Sequence, residues 1–213
     1  MPYFITIQYP YQYLTITLSD NTTIIATQTI SKFQAISLLL PTLKLMLETH
    51  NLTLANIACF GINTGPGPFN TLRSIIATAN AISFAQHIPL VGCNGLDLLL
   101  QEHDNNTVAI LDAFGNDVYF AMKGFDNQGY DSIENVIKKL NNLHTSSISF
   151  IGNGASKHKD YILSNCKGIA NFDETALFAS TQTLVDATYK KFLEGKIERE
   201  LFPLYFASPV VKI

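Results

Sequence analysis

Between Gly61 and Arg73 the chain reads Gly-Ile-Asn-Thr-Gly-Pro-Gly-Pro-Phe-Asn-Thr-Leu-Arg, with a β-like apolar run before it and a helical pattern behind it. This stiff strand-to-helix connector limits the fold more than any other segment. Glycine accepts a close or left-handed backbone path, while each proline fixes φ and deletes one N–H donor. A phosphate cradle works through converging backbone N–H groups at a helix N-terminus, so a loop that deletes two of them is better suited to holding shape. Gly65, Pro66, Gly67, Pro68 and Asn70 are therefore the candidate structural loop, with partner contact, nucleotide binding and plain local structure as its open readings. Asn70 is the expected cap of the following helix, its side-chain oxygen accepting a backbone N–H. Arg73, in or near the first turn, opposes the helix dipole, which favours compensation by a carboxylate or carbonyl of this chain or by a partner or ligand, with ordinary solvation as the bland alternative.

Strand candidates at Phe4 to Ile7, Tyr13 to Leu18 and Thr23 to Thr29 come first, the second alternating Leu14, Ile16 and Leu18 against threonines. Asp20-Asn21 marks the turn after it. A helical segment follows from about Lys32 to Thr49, then a strand near Ile57 to Ile62, the Gly-Pro loop, a helix from about Asn70 to Gln86 and a strand at Pro89 to Gly92. A small meander followed by alternating helices and strands predicts a mixed sheet with helices on its faces. After the polar run Gln101 to Asn106 a similar unit begins: strands at Val108 to Leu111 and Val118 to Met122, a helix at Ser132 to Leu140, a strand at Ile148 to Ile151 and a late helix at Leu177 to Phe192. The expected division is two α/β subdomains, residues 1–104 and 105–213, with the late helix able to pack back on the first. One larger mixed sheet is the alternative. In the first helix Ile36, Leu39, Leu40, Leu43 and Leu47 recur at helical spacing, yet Leu38, Leu45 and Met46 extend the apolar surface beyond one stripe. Either this chain or a partner helix covers the surplus. Pro41 bends that helix, unless the stretch from Lys32 begins irregularly.

At 213 residues and 47% hydrophobic composition the chain can bury a substantial core. Its 14 basic and 17 acidic residues give a net charge of -3, and Lys138-Lys139, Lys157, Lys159 and Lys190-Lys191 are scattered. Strong nucleic-acid binding by this chain alone is disfavoured, because that affinity needs concentrated phosphate neutralisation. With no basic region leading a long apolar stretch and no run long enough to span a bilayer, a soluble cytoplasmic protein with no membrane partner is expected. Cys59, Cys93 and Cys166 are odd in number and far apart, which favours buried thiols over a catalytic cysteine. His50, His87, His103, His144 and His158 are isolated and none belongs to a His-Glu-x-x-His signature, so a zinc site is not expected. Asp97, Asp112 and Asp117 read as caps and turns; Asp112, closing the run Val108 to Leu111, either caps turn N–H groups or binds ligand. Asn153, between Gly152 and Gly154, permits a tight turn near a cleft. No catalytic, cofactor-binding or metal-binding residue is assigned.

Gly65-Pro66-Gly67-Pro68-Phe69-Asn70-Thr71-Leu72-Arg73 resembles the Gly-Pro-Gly-Ser-Phe-Thr-Gly-Leu-Arg signature of the bacterial TsaB family, once grouped with glycoprotease-like proteins. The likeness continues through Pro89-Leu90-Val91-Gly92, Leu111 to Tyr119, Gly152-Asn153-Gly154-Ala155 and Pro203-Leu204-Tyr205, so it spans nearly the whole chain. Departures stand at Pro68, Asn70 and Thr71, at Ile7-Gln8-Tyr9 where the family has Ile-Asp-Thr, and at Phe114 where its Asp-Ala-Arg block has arginine. They weaken any ancestral phosphate or metal function. The resemblance implies an actin-like ATPase (ASKHA) fold with two ribonuclease-H-like subdomains. It also implies a non-catalytic partner of the transferase TsaD, assisted by the ATPase TsaE, in forming N6-threonylcarbamoyladenosine at tRNA position 37. ATP and metal would then be used by the partner subunits and tRNA met indirectly. Leu39, Leu43, Met46, Leu72, Arg73 and Ile76 are the candidate partner interface, with self-association through the same patch as a further expectation. The competing reading is a stand-alone ASKHA-type phosphotransferase or a residual glycoprotease.

Overall fold

The computed structural model describes residues 2–9, 11–125 and 128–206. Three strands open the chain as an antiparallel meander, β1 (Tyr3–Gln8), β2 (Tyr13–Asp20) and β3 (Thr23–Ser31). Alternation in β2 puts Leu14, Ile16 and Leu18 into the core, and Asn21 takes the left-handed conformation, φ 52°, that its hairpin turn requires. Helix α1 (Ala35–Thr49) starts three residues later than the expected Lys32, because Ser31 to Gln34 form a turn in which the Gln34 N–H donates to the Ser31 carbonyl. Pro41 lies inside this helix with its ring exposed. Next come β4 (Ile57–Asn63), α2 (Phe69–Gln86) and β5 (Leu90–Cys93), giving the sheet order β3-β2-β1-β4-β5, with β1, β4 and β5 parallel. One face of this sheet, carrying Ile5, Ile7, Leu14, Ile16 and Ile30, shares a core with Leu39, Leu43, Leu72 and Ile76 of the two helices.

The second unit repeats the plan. It contains α3 (Gly95–Gln101), β6 (Thr107–Asp112), β7 (Asp117–Met122), β8 (Gln128–Ser132), α4 (Ile133–Asn141), β9 (Ser147–Ile151), α5 (Asn153–Lys157), α6 (Lys159–Asn165) and β10 (Ile169–Phe172). Its order, β10-β9-β6-β7-β8, is that of the first sheet: an antiparallel meander of three strands, then two strands added in parallel beside the first of them. The expectation of two ribonuclease-H-like sheets holds, and the chain has the actin-like ATPase fold. Ser132 caps α4 by accepting the Asn135 N–H, and the core of this unit joins Val108, Ile110, Val118 and Phe120 to Val136 and Ile137. The strand β8, the helices α3, α5 and α6 and the four-residue β10 go beyond the expected elements; each is too short for a decisive periodicity.

The last helix, α7 (Thr181–Leu193), begins later than Leu177, where Ser180 accepts the Thr183 N–H at 3.1 Å. It packs on β1 and β4, with the edges of the Tyr189 and Phe192 rings meeting Phe4 at 5.5 and 5.2 Å. The chain after it stays with the first unit: Leu90 and Glu198 exchange backbone bonds, and Asn80 holds both the N–H and the carbonyl of Leu201 at 2.9 Å. Contacts among the described residues therefore divide the chain into residues 2–94 with 180–204, and 95–179 with 205–206, rather than at 104/105. The division differs because α3 packs on β6 and β7, while α7 returns to the first sheet.

Candidate partner-binding face

The Gly-Pro connector joins β4 to α2 and is held from several sides. Thr64 donates its backbone N–H and its Oγ1 hydroxyl to the Cys93 carbonyl at 2.8 and 3.1 Å, and its own carbonyl accepts the Leu204 N–H at 2.8 Å. Gly65 has φ 105° and sits so close to Leu72 that a Cβ would approach its side chain to 2.7 Å, so glycine is required there. Its N–H donates to Asn63 Oδ1 at 3.0 Å, leaving Pro66 and Pro68 with no donor to offer a phosphate. Pro68 occupies the cap position of α2, and Asn70 lies inside the helix with its side chain exposed, so the expected Asn70 cap is not formed. Pro68, with ψ 114°, stands just outside the helix, and Phe69 and Asn70 already belong to its first turn. Arg73 is exposed, its guanidinium 5.0 Å from the Phe69 ring centroid, so an aromatic face rather than a carboxylate receives the charge.

The other five candidate interface side chains point inward. Leu39, Leu43, Met46, Leu72 and Ile76 are all buried in the core against the first sheet, which removes them from any outer surface. At about 100° per residue, Leu39, Leu43, Met46 and Leu47 form one stripe of α1, and the sheet takes that stripe. What remains outside is the surplus: Ile36, Leu38, Leu40 at 53% exposure and Leu45 at 65%. On α2 the outward residues include Ala77, Ala81 and Ala85, spaced four apart, and Phe84. Leu40 and Leu54 face Ala77, Ala81, Ile82 and Ala85 across an apolar groove between the helices. The alanine repeat was the sequence signal for this groove, but alanine is so common in helices that the spacing alone does not select it.

In the second unit the acids and glycines singled out above have separate local roles. Asp112 Oδ1 accepts the Phe114 N–H at 3.0 Å and pairs with Lys157 Nζ at 2.7 Å, and Lys157 also donates to the Gly115 carbonyl. Asp97 accepts from Gln128 at 2.6 Å, and Asp117 accepts the Tyr130 hydroxyl at 2.5 Å, a bond that pushes the phenol pKa up to about 12. Asn153 Oδ1 accepts the Asp112 N–H at 3.1 Å. Gly152, with φ 96°, and Gly154 let α5 approach the end of β6 closely. Among the described residues no group of three or more His, Cys, Asp or Glu is placed to hold a metal, and no helix is long and apolar enough to cross a membrane.

Cys59 and Cys93 are buried and Cys166 is half-buried, so the expectation of buried thiols is met at two of three positions. Burial, with the nearby Cys93 adding to it, pushes the Cys59 thiol up to about 12. At neutral pH it stays protonated and unreactive. Iodoacetamide applied to the native protein at pH 8 is expected to label Cys166 first and leave Cys59 unmodified, as read by peptide mass spectrometry. Rapid labelling of Cys59 in the folded protein would contradict its environment.

A family model described as TsaD: tRNA N6-adenosine threonylcarbamoyltransferase matches residues 29–194. The structure of YeaZ from Pseudomonas aeruginosa aligns with a TM-score of 0.75 at 18% identity, covering 96% of this chain and 100% of that one. A second Pseudomonas aeruginosa structure, of an uncharacterized protein with similarity to peptidase YEAZ, gives 0.75 at 17% identity over 97% of this chain and 100% of that one. An uncharacterized protein of Mycobacterium tuberculosis is 34% identical over 83 residues, which are 39% of this chain and 39% of the relative's length.

Proposed function

The chain belongs to the family described as TsaD, tRNA N6-adenosine threonylcarbamoyltransferase, and from that premise we propose that it is a TsaB-like, non-catalytic member that organises a TsaD-like catalytic subunit during tRNA N6-threonylcarbamoyladenosine modification. The observation that carries this reading is the exposed apolar groove between α1 and α2, where Leu40 and Leu54 oppose Ala77, Ala81 and Ala85. Alanines let a second helix approach closely, and the leucines supply apolar area that association removes from water. The catalytic subunit offers a helix pair of its own to this groove, a TsaE-like ATPase joins the same complex, and tRNA is met through the catalytic subunit. ATP and metal are used by those partners. The protein works in the cytoplasm.

A stand-alone phosphotransferase or glycoprotease would need a free acid or nucleophile. The acid best placed at a strand end, Asp112, is instead paired with Lys157 and engaged in a turn. Cys59 is protonated and sealed. The test is reconstitution with the cognate TsaD-like and TsaE-like proteins, ATP, threonylcarbamoyl-adenylate and substrate tRNA, with and without this chain. Modified-nucleoside yield is expected to depend on the chain. Equal yields in its absence, together with no association, would sink the proposal, and substrate-dependent phosphate release by the isolated chain would favour the enzyme instead.

A further inference from the structure

At the end of α2 away from the Gly-Pro connector lies a concavity of about 530 Å³, with Phe84, His87 and Pro89 on the helix side and Ile197, Glu198 and Arg199 from the segment after α7. The buried Ser83 and Ile88 complete its lining. All of these residues belong to the first unit. The walls are preformed. His87 ends α2 in the left-handed conformation, φ 56°, which turns the chain into Pro89 and β5. Across from it Glu198 exchanges backbone bonds of 2.9 and 2.8 Å with Leu90, and the Asn80 clasp on Leu201 fixes the chain just beyond.

The polar groups of the lining fall into two kinds. Ser83 donates its hydroxyl to the Ile88 carbonyl at 2.7 Å, and Glu198 Oε1 accepts the Gly92 N–H at 3.3 Å, so hydroxyl and carboxylate are engaged within the fold. His87 and Arg199 are exposed, and among the described residues neither forms an ion pair or a side-chain hydrogen bond. Beside them Phe84 is 84% exposed and Ile197 48% exposed, apolar area left in water at the mouth of a concave site. A cavity of this size accommodates a small molecule. A cationic ligand would face the Arg199 guanidinium, and a neutral one would leave that charge uncompensated.

We propose that this pocket binds a small amphiphilic anion, a flat apolar ring bearing a carboxylate or a phosphate, with the ring against Phe84, Pro89 and Ile197 and the charge on Arg199. The planar fork of a guanidinium matches either anion through two parallel hydrogen bonds. A flat ring gains both apolar burial and aromatic contact on Phe84. The carbonyl end of α2 disfavours negative charge, so the ring and not the anion lies along the helix. His87 supplies a further N–H donor in the same pocket. The site shares no residue with the groove between α1 and α2.

Indole-3-acetate and AMP are the probes, each set beside its uncharged counterpart, indole-3-acetamide and adenosine. Titration of the full chain, followed by amide chemical shifts in heteronuclear NMR, is expected to give saturable changes centred on residues 83–88 and 197–199 with at least one of the two anions. Its uncharged counterpart is expected to bind about tenfold more weakly. The anion that binds identifies carboxylate or phosphate as the group recognised. Arg199→Gln is expected to weaken binding about tenfold and Phe84→Ala about fivefold. Lys138→Gln, which removes the same charge from an exposed position on α4, leaves binding unchanged. Phe84 and Arg199 are exposed, so both pocket variants are expected to melt within about 2 °C of wild type. No saturable change with either anion, equal binding of the uncharged counterparts, changes centred elsewhere, or an Arg199→Gln protein that binds as wild type overturns the proposal.

Discussion

Leu43→Glu is expected to abolish folding of the first unit, while Ala81→Glu, on the neighbouring helix, leaves the fold intact and weakens association with a TsaD-like subunit more than a hundredfold. Leu43 is 3% exposed, in the core shared by α1, α2 and the first sheet. Replacing it forfeits about 2 to 3 kcal/mol of apolar burial and strands an unpaired carboxylate, for a total of about 5 kcal/mol or more. That is comparable with the whole stability of an ordinary domain. Ala81 is exposed, so a glutamate there is solvated in the free protein and shifts its stability by about 0.5 kcal/mol at most. In the complex the same carboxylate would be buried in the apolar groove without a partner, costing about 3 kcal/mol, or more than a hundredfold in affinity. Circular dichroism melts and calorimetric titration with the TsaD-like subunit check both halves. A folded Ala81→Glu protein that binds as wild type would place the partner on another face.

Gly152→Ala is expected to lower the stability of the second unit by about 3 kcal/mol or more, roughly 10 °C in melting temperature, with little change in any ligand binding. Two costs add. Gly152 has φ 96°, where an L side chain is strained, and a Cβ there would lie 2.3 Å from the Ile110 carbonyl oxygen, a backbone atom that cannot step aside. Asn153→Ala, next to it, removes only the acceptor for the Asp112 N–H and is expected to cost about 1 kcal/mol. A nucleotide-binding turn would behave the other way, with the asparagine carrying ligand affinity and the glycine a lesser share. Thermal melts of the two variants, with and without ATP, tell these apart.

What was legible in the sequence was local. Alternation of Leu14, Ile16 and Leu18 located β2, the Gly-Pro connector located the passage from β4 to α2, and renewed strand and helix candidates after Asn106 announced a second unit. These signals depend on each residue's near neighbours, whose side-chain directions follow from the helical or extended period alone. The short elements of the second unit were not legible, because one or two helical turns or four strand residues do not complete a period. The candidate site was readable only by kind. The surplus of leucine on α1 required a cover beyond the sheet, but not which side the sheet would take.

Only tertiary structure decided that Leu39, Leu43 and Met46 go inward while Leu40 and Leu45 stay outside. A helix apolar around most of its circumference can satisfy several faces equally well, and the sheet's own surface breaks the tie. The return of α7 to the first sheet, and the pairing of Asp112 with Lys157 across 45 residues of chain, likewise depend on surfaces that exist only once both segments are folded. Period and turn chemistry in the sequence located the longer elements and pointed to two units, and the family resemblance implied the fold. Burial competition between distant segments, which no local pattern encodes, decided which apolar residues were left on the surface.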